Sequence, residues 1–192
     1  MTHQPAPDRG KRDRLIASAS DLLHRQGVLG TSLAQVAEAA AVPPGNVYYY
    51  FKTKDDLVRA VIGLRVDQVQ AMLDGLRQRR SPTARLKALA HQWVEMRDLV
   101  ARYGCPFGTL TTELDRHDNG LDQEAAAPIT LILDWAEEQF HQLGRRDARD
   151  LAIAFFSGVQ GGALLANAMR DPDIMSGQVR HLERWLDGLD RP

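Results

Sequence analysis

Cysteine is nearly absent. The 192-residue chain has one, Cys105, which excludes an internal disulfide framework and a cysteine-based zinc site. No apolar run approaches the roughly 20 residues of a membrane span, so no membrane role is expected. Met1 to Arg14 is polar, without the hydrophobic stretch of a secretory signal, and a cytoplasmic protein is the default expectation. The catalytic signatures are missing too. Six histidines contain no His-Glu-x-x-His and no pair at i, i+4. There is no Gly-x-Ser-x-Gly elbow, no phosphate-binding glycine loop and no dinucleotide fingerprint. Glu113, Asp115, His117 and Asp118 form an acidic cluster that reads as a solvated helix end. No catalytic residue, metal or cofactor is therefore expected.

Net charge is almost nil, with 24 basic against 25 acidic side chains. The balance is uneven along the chain. Residues 1–65 carry nine basic and six acidic groups, and the remainder carries fifteen and nineteen. A basic N-terminal third suggests that one end meets a polyanion.

Apolar spacing is helical throughout, which predicts an all-α fold of about nine helices. Residues 1–9 read as a disordered arm. A first helix from Gly10 carries Leu15, Ile16, Ala19, Leu22 and Leu23 and stops at Gly27. Ser32 and Gln35 form a capping-box pattern for a short second helix ending near Ala40. Ala41-Val42-Pro43-Pro44-Gly45 cannot continue it. A third helix covers Asn46 to Phe51. Thr53 caps a long fourth to about Arg79, roughly 39 Å at 1.5 Å per residue. Further helices are expected from Pro82 to Tyr103, from Pro106 towards Asn119-Gly120, from there to Gly144 with Pro128 as kink or true start, over 147–170, and from Pro172.

Residues 32–51 thus make a helix-turn-helix, in which the N-terminal end of the second helix can meet base edges in a major groove. Val47 and Phe51 share its core-facing side. Tyr48, Tyr49 and Tyr50 fan over the rest, more aromatic surface than a small core can bury. Each offers a ring for a thymine methyl and a hydroxyl for a phosphate. Asn46 is either a helix cap or a base reader, and Lys52 and Lys54 follow where backbone phosphates would lie. The basic side chains Arg9, Lys11, Arg12 and Arg14 either touch DNA or solvate a tail.

Thr31-Ser32, Val36-Ala37, Val42, Gly45 and the run Val47 to Leu57 resemble the DNA-binding domain of the tetracycline-repressor (TetR) family. Two positions depart from its pattern: Tyr50, where histidine is usual, and Pro43-Pro44 in the turn. The resemblance implies a DNA-binding domain over 10–56 and a helical ligand-binding and dimerisation domain over 57–192. It implies a homodimer on a pseudo-palindromic operator in double-stranded DNA, most naturally a repressor released by a small-molecule effector. It adds Thr31, Ser32, Gln35 and Gly45 to the DNA-contact candidates.

An apolar effector pocket with few polar groups is expected after residue 80. Its candidate lining is Trp93, Met96, Tyr103, Phe107, Leu110, Thr111, Trp135, Gln139, Phe155 and Gln160, against the plainer reading that these form a core. The resemblance places a four-helix dimer interface over 150–170 and 172–188, through Phe156, Gly158, Gly161, Gly162, Leu165, Leu182, Trp185 and Leu186. The plainer alternative for the glycines is close packing within one subunit. Two rival functions stay open: a thiol switch at Cys105, at a helix start, and a helical enzyme or carrier with an ancillary helix-turn-helix.

Overall fold

The computed structural model describes residues 10–115 and 120–189. Among them are eleven α-helices and no strand: α1 Lys11–Gln26, α2 Leu33–Ala39, α3 Pro44–Tyr50, α4 Lys54–Leu76, α5 Pro82–Glu95, α6 Arg97–Tyr103, α7 Pro106–Leu114, α8 Leu121–Ala125, α9 Ala127–Gln142, α10 Ala148–Met169 and α11 Asp173–Leu189. The N-terminal arm and the histidine and aspartate at 117 and 118 lie outside the described residues.

Capping chemistry sets most boundaries. Ser32 Oγ accepts from the Gln35 amide at 3.2 Å, and the Gln35 side chain accepts from the Ser32 amide at 2.8 Å. Thr53 and Asp56 repeat the device at the start of α4. Hydrogen bonds to the Asp56 carboxylate from the Thr53 side chain and from the Thr53 backbone amide hold that carboxyl below its usual range. Ser81 caps α5, with Pro82 in its first turn.

Two expected helices are each divided, which raises the count from nine to eleven. The Pro82–Tyr103 helix breaks at Met96, whose backbone (φ −102°, ψ 15°) leaves the helical region. The Arg97 guanidinium takes up the Val94 carbonyl there, at 3.3 Å. Pro128 marks a true start: it sits in the first turn of α9, where its missing amide hydrogen costs no helical bond. For the same reason α3 begins at Pro44 rather than Asn46. In the turn between α2 and α3, Ala41 is left-handed (φ 51°), a conformation that L-residues seldom adopt. The fourth helix stops at Leu76, so its length is about 35 Å.

The buried side chains form two clusters. One joins α1, α2, α3 and the first half of α4 to Leu110 and Leu114 of α7 and to α8. The other joins the second half of α4 to α5, α6, α9, α10 and α11. Helix α4 is common to both.

The α10 helix corrects one sequence expectation. Although polar residues interrupt it, it is long and apolar enough to cross a membrane by length and composition. One face is core, with Phe155, Phe156 and Val159 buried, while Ile153, Leu164, Leu165 and Met169 of the same helix are exposed.

Candidate nucleic-acid interface and effector cavity

The helix-turn-helix is built on a filled apolar core, which frees its second helix to present polar and aromatic groups outward. Val36, Ala37, Val42, Val47 and Phe51 are buried. Tyr48 and Tyr49 are 58% and 76% exposed. Tyr50 is half-buried and meets Tyr49 edge-on, with ring centroids 5.1 Å apart. Lys52 is exposed, and its ammonium donates to the Tyr48 carbonyl at 3.0 Å, which places positive charge at the open end of α3. Lys54 and Asn46 are half-buried, and Gly45 is exposed with open space where a Cβ would stand. Ser32 and Gln35 are exposed on the adjoining cap. Thr31 departs from the expectation of a surface contact. It is buried, and its hydroxyl donates to the Gly27 carbonyl at 2.7 Å, which fastens the α1–α2 loop. Behind this surface, the Arg12 guanidinium lies over the Phe51 ring at 5.6 Å.

The expected pocket residues do not converge. Trp93, Trp135, Gln139 and Phe155 are buried in the larger core. Trp93 packs edge-on against Phe107 and Phe156, and Gln139 donates to the Trp135 carbonyl at 3.2 Å. Leu110 belongs to the N-terminal core, and the Thr111 hydroxyl is spent on the carbonyls of Phe107 and Ala125. Tyr103 stacks edge-on against His24. Of the ten, only Met96 and Phe107 line a cavity of about 240 Å³, partly open to solvent, between α1, α4, α5 and the start of α7. Val69 and Met72 complete its apolar side; His24, Arg65, Gln68 and Gln92 supply polar groups. An open groove of about 830 Å³ between α1 and α4 shares Ser20, Asp21 and Gln68 with it and forms an approach from solvent.

Sequence reasoning missed Arg65. The signal was present: it falls in register with Val58, Val61, Ile62, Val69 and Leu73 on the buried stripe of α4. An arginine there is buried by its own helix. Burial pushes its guanidinium down to about 10.

Cys105 is buried at the start of α7 and accepts a hydrogen bond from Gln160 Nε2 at 3.4 Å. Both line a separate cavity of about 190 Å³.

The expected interface residues also divide. Phe156, Leu182 and Leu186 are buried within the subunit, and Trp185 packs on Phe140. Gly158 and Gly162 admit α11: a Cβ at either would stand 3.0 Å from Gln178. Only Gly161 and Leu165 face outward.

Three polar contacts tie the helix-turn-helix unit to the helices beyond it. The Glu113 carboxylate of α7 accepts the Leu29 amide at 2.9 Å. It fits beside Gly27, where a Cβ would come within 2.8 Å of a carboxylate oxygen. Arg59 of α4 pairs with Glu124 of α8 at 2.9 Å. His24 Nε2 donates to the Gly104 carbonyl at 2.9 Å. Burial lowers the His24 pKa and Arg65 acts in the same direction, against the Gly104 carbonyl. The folded state thus disfavours the imidazolium, and the stability that neutral His24 provides is lost as pH falls below about 6.5. Melting between about pH 7.5 and pH 5.5 should lower the midpoint more in the wild type than in His24→Gln. Equal shifts would remove His24 from the acid response.

A cored helix-turn-helix with an aromatic and cationic outer face, joined by one long helix to a helical body, defines a DNA-binding transcriptional regulator. Residues 15–61 match the model of the bacterial regulatory proteins of the tetR family. The chain is 27% identical over 185 residues to an uncharacterized HTH-type transcriptional regulator of Lactococcus lactis, covering 87% of this chain and 88% of that one. It is 27% identical over 195 residues to the HTH-type transcriptional regulator TtgR of Pseudomonas putida, covering 93% and 90%. A TetR transcriptional regulator from Legionella pneumophila superposes with a TM-score of 0.82 at 21% identity, covering 93% of this chain and 98% of that one. Residues 15–61 thus carry the match to the tetR family, and the chain over most of its length is similar to HTH-type transcriptional regulators.

Proposed function

We propose that the chain is a homodimeric repressor of the cytoplasm that holds a pseudo-palindromic operator and lets go when a small molecule occupies the α1–α4–α5–α7 cavity. The observation that carries this reading is the outward display of Tyr48 and Tyr49 beside Lys52, on a helix whose other side is fully packed. In it, α3 reads the major groove through Asn46, Tyr48 and Tyr49. Ser32, Gln35, Lys52 and Lys54 meet phosphates, and Gly45 allows close backbone approach. A cavity between α4 and α7 supports ligand control, because both elements also touch the helix-turn-helix core. A ligand that prefers one arrangement shifts the population away from the DNA-competent one. The role is binding rather than turnover, so a ligand incubated with the protein should be recovered unchanged by mass spectrometry.

Selection of genomic fragments by the purified protein tests the reading. Fragments from around its own coding region should be retained, and a protein that retains no duplex sequence contradicts it. On the selected operator, Tyr48→Ala and Tyr49→Ala should each weaken binding by about 1–3 kcal/mol. Lys54→Ala should weaken all sequences alike and reduce the salt slope by about one. An unchanged slope would place Lys54 outside the interface.

A further inference from the structure

Arg65 is 3% exposed. Of its five N–H donors, one group, Nη1, donates to the Pro106 carbonyl; no carboxylate pairs with it among the described residues. A buried cation without a counter-ion is costly unless something supplies the missing charge. The same side chain lines the cavity. Ser20 of α1, Gln68 of α4 itself and Gln92 of α5 also line it and bring no charge. His24 is held towards its neutral form. Asp21 is the one acidic lining residue; it is exposed, at the mouth shared with the open groove. The inner end of the cavity is therefore cationic, and Val69, Met72, Met96 and Phe107 make the rest of its wall apolar. Its volume of about 240 Å³ lies below the drug-sized range of roughly 300–1,000 Å³.

We infer that the effector is a small organic carboxylate with an apolar body, its carboxylate held by the Arg65 guanidinium and its body by Phe107, Met72 and Met96. The match is one of shape as well as charge, since the guanidinium fork accepts a carboxylate in a two-point arrangement. The inference rests on the ligand-controlled reading above and gives it a route. Arg65 holds the first residue of α7 through Pro106, and the far end of that helix holds the α1–α2 loop through Glu113. An anion that draws the guanidinium away from Pro106 loosens the start of α7, and the Glu113 contact carries the change to the helix-turn-helix.

Calorimetric titration of the full-length protein with benzoate and hexanoate, each paired with its neutral amide, tests this. At least one carboxylate should bind about ten-fold or more tightly than its amide, the worth of a charge-assisted pair. Arg65→Met should erase that preference. Arg65→Lys, which keeps the charge without the fork, should diminish it and serves if the methionine variant fails to fold. Amides that bind as well as carboxylates, the absence of binding by either carboxylate, or a preference that survives both substitutions overturns the inference. Operator binding by the ligand-free wild type is measured alongside. Its loss would sink the regulator reading, whereas its presence with no carboxylate preference would sink only the assignment of the effector.

Discussion

Leu164→Glu combined with Leu165→Glu should yield a folded single subunit that no longer holds operator DNA. Four of the large exposed apolar side chains among the described residues lie on α10: Ile153, Leu164, Leu165 and Met169. Leu164 and Leu165 are 68% and 53% exposed, and Gly161, one turn earlier, leaves open space beside them. Such a face on a helix whose other side is core calls for an apolar partner. In the proposed function that partner is the same helix of a second subunit. Carboxylates there would be buried without a counter-charge in a dimer but solvated in a monomer, so the substitutions act on assembly. Glutamate is a good helix former, and exposed sites usually change stability by only about 0.5 kcal/mol. The effect on DNA is larger. A dimer engages two half-sites at once, and losing that linkage removes about 10²–10⁴ in affinity. Light scattering and mobility shift on one sample check both halves. A variant that stays dimeric, or a monomer that binds with wild-type affinity, contradicts the prediction.

The helix-turn-helix was legible because local chemistry specifies it. Reciprocal caps at Ser32–Gln35 and Thr53–Asp56, the Pro43-Pro44 interruption and the four-residue spacing of Val47 and Phe51 act within a turn or two of chain. The break at Met96 was not legible, since neither glycine nor proline marks it. There an arginine side chain captures a carbonyl three residues back. Glycines at 158 and 162 correctly signalled close helix approach, but composition does not say whose helix approaches. In the structure it is α11 of the same subunit. The expected lining residues did not converge for a related reason. Large aromatics at helical spacing first satisfy one another, as Trp93, Phe107 and Phe156 do. A cavity is better sought where a polar residue interrupts an apolar stripe, as Arg65 does on α4.

The division of the core into two clusters makes a second strong prediction: Phe51→Ala should abolish DNA binding while leaving the proposed dimer intact. Phe51 closes α3, is 2% exposed and belongs to the N-terminal cluster. Truncating a buried phenylalanine costs about 3–5 kcal/mol. It would also remove the ring beneath the Arg12 guanidinium. That loss falls on a small unit of short helices, α2 and α3 having seven residues each, which cannot persist without tertiary packing. The second cluster does not include Phe51, and it carries α10 and α11. Amide exchange should therefore quicken across residues 33–51, while protection in α9 to α11 stays near the wild-type level, as expected for cooperative units of unequal stability. Uniform loss of protection along the chain would mean that α4 couples the clusters into one folding unit. In that case a ligand acting on one end of α4 would be felt at the other through global stability rather than through the Pro106–Glu113 helix.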